Sequence, residues 1–350
     1  MLNSYFFLHV VIAIVIYLNL VESANNDAVD PFDDYVHIGD EKFVWDYGTG
    51  KNGVYEWPNT CSTGLKQSPI DIVTGQSITT EGVCPFVFSG YNTIPLNLKL
   101  KNKWHSLYFW KIVNEGTRSP FLTGGGLPGD DEFEFLAGHF HWASTNEKGS
   151  EHHVDNDDAP LELHLVHWNR AKGKTPQDAI GKNKWNALAV LGIKYDIGKH
   201  NKDLEPLFNA MDLVHDEGNY TYLKEKIPLK SFLPRGTGRF FRYNGSLTNP
   251  PCNEVVVWTV FKDREYISQE QMNKLRAARS GEDRRRHLEN NYRPVQSLNG
   301  RIVQDIDTRD YGNACSRNHH AKPSRATTIF SEHFITVCFI AYTFTISMFP

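Results

Sequence analysis

The chain has 350 residues, 40% hydrophobic and 22% charged, with 37 basic side chains against 41 acidic ones and a formal net charge of −4. Such near balance gives no electrostatic footprint for nucleic acid, so the run Arg284, Arg285, Arg286 reads as solvated surface. The proportions are those of an ordinary globular protein, and an aromatic content of 13% favours a β-rich core.

Residues 1–23 carry an apolar stretch followed by Ser23 and Ala24, the pattern of a secretory signal peptide. Residues 24–42 are acidic and aperiodic and are expected to form a flexible lead-in. The body, 43–307, is dominated by alternation. The segments "LNLKLKN" (96–102), "EFEFLAGHFHW" (132–142), "LELHLVHW" (161–168) and "EVVVWTVF" (254–261) are strands by period and composition. Many strands and few long helices predict a mainly β or α+β fold. It is expected to be a single domain on a large twisted, mostly antiparallel central sheet with short peripheral helices. Leu204, Leu207, Phe208 and Met211 recur at helical spacing. A second helix is expected to start at Ser268, capped by its hydroxyl with Gln271 reaching back and Ile267 stapling onto Met272, and to close at Gly281.

Residues 308–333 are polar and stalk-like, and 334–350 are apolar with no basic residue beyond them. A spanning anchor normally has cytoplasmic Lys or Arg, whereas a removable lipid-anchor signal does not need them. The expectation is a GPI anchor, attached near Asn313, Ala314 and Cys315 or near Ser324, Arg325 and Ala326. Cys338 lies in the tail, leaving Cys61, Cys84, Cys252 and Cys315 with three possible pairings in an oxidising compartment. Sequons at Asn219 and Asn244 are candidate glycan sites, although Asn244-Gly245 is also a hairpin-turn signal.

Alternation puts His139 and His141 on one face of their strand, with Phe140 and Trp142 on the other. Imidazoles roughly 7 Å apart along a strand face can share one ion. "LELHLVHW" offers a third: Glu162, His164 and Val166 share a face, opposite Leu163, Leu165 and His167. A carboxylate beside a ligand histidine fixes its tautomer and orientation, and three neutral nitrogens leave a fourth tetrahedral position on zinc for water. No His-Glu-x-x-His of a zinc protease is present.

Seven blocks in order, "QSPIDI" (67–72), "HFHW" (139–142), "GSEHHVD" (149–155), "ELHLVHWN" (162–169), "LAVLGI" (188–193), "SLTNPPC" (246–252) and "YRPVQSLNGR" (292–301), closely resemble the α-class carbonic anhydrases, in their secreted, membrane-anchored branch. The resemblance implies zinc-dependent reversible hydration of carbon dioxide to bicarbonate and a proton, by attack of zinc-bound hydroxide, at the cell surface. The alternative within the same fold is a catalytically silent binding ectodomain, which generally lacks one of the ligands kept here.

By that resemblance His139, His141 and His164 hold zinc, and Glu151 and Thr248 orient the hydroxide. Val166, Val190, Leu247 and Trp258 wall the carbon dioxide pocket. Glu162 and Asn291 support the ligands, Tyr47 belongs to the pocket's water network, and Asn249, where a second threonine is common, contacts bicarbonate or inhibitors of the anionic and sulfonamide types. His105 matches the histidine that exports the proton, with Trp104 in place of a glycine before it. Ala137 stands where the family often has a glutamine supporting the first ligand. Cys61 and Cys252 match a disulfide pair.

Overall fold

The structure is a computed structural model that describes residues 36–38, 41–93, 95–112, 118–129, 131–280, 286–311 and 315. The signal segment, the first part of the lead-in and the apolar tail lie outside these residues, as do all the proposed attachment residues except Cys315. The chain falls into two units, Met1–Tyr311 and Gly312–Pro350, and the elements below belong to the first. Among the described residues no helix is long and apolar enough to cross a membrane.

Thirteen strands form one twisted sheet. In chain order they are β1 (Ile78–Thr80), β2 (Phe86–Ser89), β3 (Leu98–Asn102), β4 (Leu107–Lys111), β5 (Phe121–Gly124), β6 (Phe133–Trp142), β7 (Leu161–Asn169), β8 (Leu188–Ile197), β9 (Tyr220–Tyr222), β10 (Arg239–Gly245), β11 (Val256–Phe261), β12 (Glu265–Ile267) and β13 (Gln304–Asp307). Across the sheet the order is β9-β3-β4-β6-β7-β8-β11-β10-β13-β1, with β12 beside β8, and β5 between β6 and β2. Most pairs are antiparallel. The exceptions are β8 with β11 and β12, and β13 with β1.

The alternation read from the sequence sorts side chains between two buried layers. Leu161, Leu163 and Leu165 join Leu98, Leu100, Phe109, Phe140 and Trp142 in the larger core, while Val166, Val190 and Trp258 belong to a second core on the opposite face. All nine residues of β7 are buried, so this strand sees no solvent on either face. Gly138 lets β4 and β6 pack closely, since a Cβ there would meet the Phe109 ring at 2.2 Å.

Four short α-helices flank the sheet: α1 (Thr60–Thr63), α2 (Pro176–Gly181), α3 (Glu205–Met211) and α4 (Gln269–Arg276). The apolar face expected on α3 is buried in the larger core through Leu207, Phe208 and Met211, and α4 adds Met272 and Leu275. Helix α4 opens with the expected Ser268–Gln271 capping box. It stops at Arg276, however, and not at Gly281, which lies outside the described residues. Its chain turns off early because Arg279 and Ser280 pair with His287 and Arg286. Two other expectations are revised. Val36–Ile38 and Glu41–Phe43 pair as a ribbon that takes in the end of the stretch read as an aperiodic lead-in and the first residue of the body, and Asn244-Gly245 ends strand β10, paired with Val257 and Val256, where a hairpin turn was the alternative.

Candidate metal centre

Register assembles the site. Antiparallel pairing of β6 with β7 sets His139 opposite His164 and His141 opposite Glu162. His139 Nε2, His141 Nε2 and His164 Nδ1 converge: the His164 nitrogen lies 3.3 Å from the first and 3.1 Å from the second. The three residues are buried, and their ligand atoms lie within 4.8 Å of one another, close enough to hold one metal ion. Burial lowers the pKa of each imidazole, with neighbouring histidines adding to the effect at His139 and His141. Neutral rings are the form that ligates.

The nitrogens facing away from the centre are supported unequally. His141 Nδ1 donates to the Asn291 carbonyl oxygen at 2.7 Å, and His164 Nε2 meets Glu162 Oε1 at 2.7 Å. His139 Nδ1 is buried with no hydrogen-bond partner. The side chain of Asn291 ties strands together instead: Oδ1 accepts from Trp142 N at 2.8 Å, and Nδ2 donates to the carbonyls of His105 and Phe140.

Glu162 is fully buried and fully used. Oε1 also meets His152 Nδ1 at 2.7 Å, and Oε2 accepts from the backbone N–H groups of Glu151 and His152. Burial alone would raise its pKa, but His152 and His164 outweigh it and hold the carboxylate well below the usual range. Space for it comes from Gly192 on β8, where a Cβ would sit 2.9 Å from Oε1. His152 extends the network to Tyr243, whose hydroxyl lies 2.7 Å from its Nε2 and donates to Ser68 Oγ at 2.9 Å. The sequence reading missed His152 and Tyr243; the adjacent His152 and His153 of "GSEHHVD" were the only signal.

Glu151 and Thr248 are both buried beside the triad. Glu151 Oε1 accepts from Arg293 N at 2.8 Å, while Oε2 has no hydrogen-bond partner and lies 3.4 Å from His141 Nε2. Burial pushes the Glu151 pKa well up, opposed by the Arg293 backbone N–H and the Thr248 hydroxyl. Val166, Val190 and Trp258 stand in one cross-strand row over β7, β8 and β11, and half-buried Leu247 packs against their core. Asn249 is half-buried on the Thr248 loop, its carbonyl accepting from Cys252 N at 2.9 Å. Cys252 is bonded to Cys61 across a sequence separation of 191, the expected pair.

His105 is in a box of rings rather than in solvent, 4.7 Å from Trp45, 4.8 Å from Trp104 and 5.3 Å from Tyr108. It is 4% exposed, and burial, then Lys103, lowers its pKa well below the usual value. Its Nε2 meets the Tyr108 hydroxyl at 3.2 Å. Half-buried Tyr47 packs on Trp45 and Trp57, and its phenol pKa is raised by burial and by Glu151. Asn219 and Asn244 are both exposed.

A broad, mostly antiparallel sheet presenting three neutral imidazoles, one backed by a buried carboxylate, defines a metalloenzyme built to hold zinc. The model of eukaryotic-type carbonic anhydrases matches residues 52–306. Carbonic anhydrase 1 of Mus musculus is 36% identical over 265 residues, covering 74% of this chain and 97% of that protein. Carbonic anhydrase 7 of Homo sapiens is 34% identical over 264 residues, covering 74% and 96%. The chain belongs to the carbonic anhydrase family, zinc enzymes that interconvert carbon dioxide and bicarbonate.

Proposed function

We propose that the protein is an active carbonic anhydrase of the extracellular membrane surface, with zinc held by His139, His141 and His164. The observation that carries this reading is the convergence of three buried ring nitrogens in their neutral form. Zinc supplies a nucleophile at neutral pH by bringing the pKa of a water to about 7, a value for which carbonic anhydrases are themselves the standing example.

The remaining work falls to side chains. Glu162 and the Asn291 carbonyl keep the outward nitrogens of His164 and His141 protonated, so the inward lone pairs are free for the ion. With the positive charge of zinc in the site to oppose burial, Glu151 would be ionised and only accept, so Thr248 must donate to it and can then only accept from the solvent molecule in the site, fixing its direction. Val166, Val190, Leu247 and Trp258 keep water from an uncharged linear substrate. Asn249 is placed on the Thr248 loop to contact bicarbonate, or an anionic or sulfonamide inhibitor. Tyr47 joins the solvent network at the mouth, and His105 stands where the family's proton-exporting histidine does, its burial slowing a relay that needs the charged ring. Secretion by residues 1–23, glycans on Asn219 and Asn244 and a GPI anchor replacing 334–350 place the enzyme outside the cell.

The test is carbon dioxide hydration by purified protein, followed by stopped-flow pH change. Chelation should abolish activity and zinc should restore it, while His164→Ala should stay inactive; wild-type-like activity in that variant refutes the ligand assignment. Zinc-loaded wild type without activity establishes the silent binding ectodomain. Phosphatidylinositol-specific phospholipase should release the protein from cells, and retention on the membrane refutes the lipid anchor.

A further inference from the structure

Two of the three metal-facing imidazoles have a hydrogen-bonding partner behind them, and His139 has none. What His139 has is a ring against its face. Pairing of β4 with β6 sets Tyr108 directly opposite His139 and Trp110 opposite Ala137. The Tyr108 and His139 rings stack with centroids 4.7 Å apart and planes 18° from parallel. Tyr108, Trp110 and Ala137 form a small buried cluster of their own. Ala137, two residues before His139 and fully buried, offers only a methyl group where a longer side chain could reach Nδ1.

Tyr108 is itself held at several points. Its hydroxyl meets His105 Nε2 at 3.2 Å, and the Lys103 ammonium lies 5.1 Å from its ring centroid. The phenol is 4% exposed, so it cannot swing away into solvent. A cross-strand aromatic pair fixes the plane of an imidazole as a hydrogen bond would fix its edge, because turning the ring breaks face contact over its whole area.

We propose that Tyr108 is the positioning residue for His139: stacking, not a hydrogen bond, aims this ligand's Nε2 at the metal. The inference rests on the zinc reading above and concerns the one ligand that reading leaves without support. Stacking needs the ring and not the hydroxyl, so Tyr108→Phe should hold zinc as tightly as wild type.

The experiment is the rate of zinc release to excess dipicolinate from the zinc-loaded full chain, with visible absorption of the cobalt-substituted protein as a second readout. Tyr108→Phe should release zinc at the wild-type rate. Tyr108→Ala should release it about tenfold faster or more, the scale of losing one ligand's support, and should alter the cobalt bands. Adding Ala137→Gln to Tyr108→Ala gives Nδ1–H an acceptor and should bring release back towards wild type, which a merely structural role for Tyr108 would not allow. Wild-type uptake of zinc with unchanged release from Tyr108→Ala overturns the inference alone. So does faster release from Tyr108→Phe, or a folded double variant that leaks as fast as Tyr108→Ala. Wild type that takes up no zinc overturns the zinc reading, and this inference with it.

Discussion

Glu162 serves two imidazoles with one oxygen and two backbone N–H groups with the other. Glu162→Ala should therefore weaken zinc binding about 10- to 100-fold, read by competition with a chromophoric chelator. The other instructive histidine is His167, on the far face of the same strand, where burial lowers its pKa to about 3. The unfolded chain takes that proton first, so the neutral ring stabilises the fold above a pH of about 6.5. That contribution is lost as pH falls towards the folded value, at up to about 1.4 kcal/mol per pH unit. Urea unfolding across this range should show a shallower pH slope in His167→Leu than in wild type. Trp104 holds φ at +48°, a left-handed conformation that strains a bulky side chain by roughly 1–3 kcal/mol. Its indole packs 4.9 Å from Trp45 and 4.8 Å from His105, which offsets the strain and helps to bury His105.

Among the elements, the long strands were legible because their alternation is uninterrupted, and so was the start of α4, where Ser268 and Gln271 spell a capping box. Ser268→Ala should cost about 1 kcal/mol of stability in a urea titration. The end of α4 was not legible: nothing between Arg276 and Gly281 breaks a helix, and the pairing of Arg279 with His287 overrides propensity. The Cys61–Cys252 bond ties α1 to the loop bearing Thr248 and closes 191 residues. By the chain-entropy relation, Cys252→Ser should lower unfolding free energy by at most about 5 kcal/mol, measured against the oxidised wild type.

On the scale of the molecule, the site is one patch on a sheet that is already complete. Ligands on two adjacent central strands of thirteen do not hold those strands together; backbone pairing and two cores do. Metal-free protein should therefore keep its far-UV circular dichroism and a cooperative melt, with a Tm below the zinc-loaded form by an amount that grows with free zinc. Loss of the cooperative melt on chelation would show that zinc is part of the fold.

The sequence by itself determined which residues share a strand face, and so that His139 sides with His141 on one strand and Glu162 with His164 on another, because side chains alternate along any extended chain. Its ordered motifs also carried the family, and with it the pairing of Cys61 with Cys252. Only the tertiary structure decided which residues stand opposite one another, since register is a relation between strands far apart in sequence. That relation puts Tyr108 against His139, His152 beside Glu162, and His105 inside a box of aromatic rings.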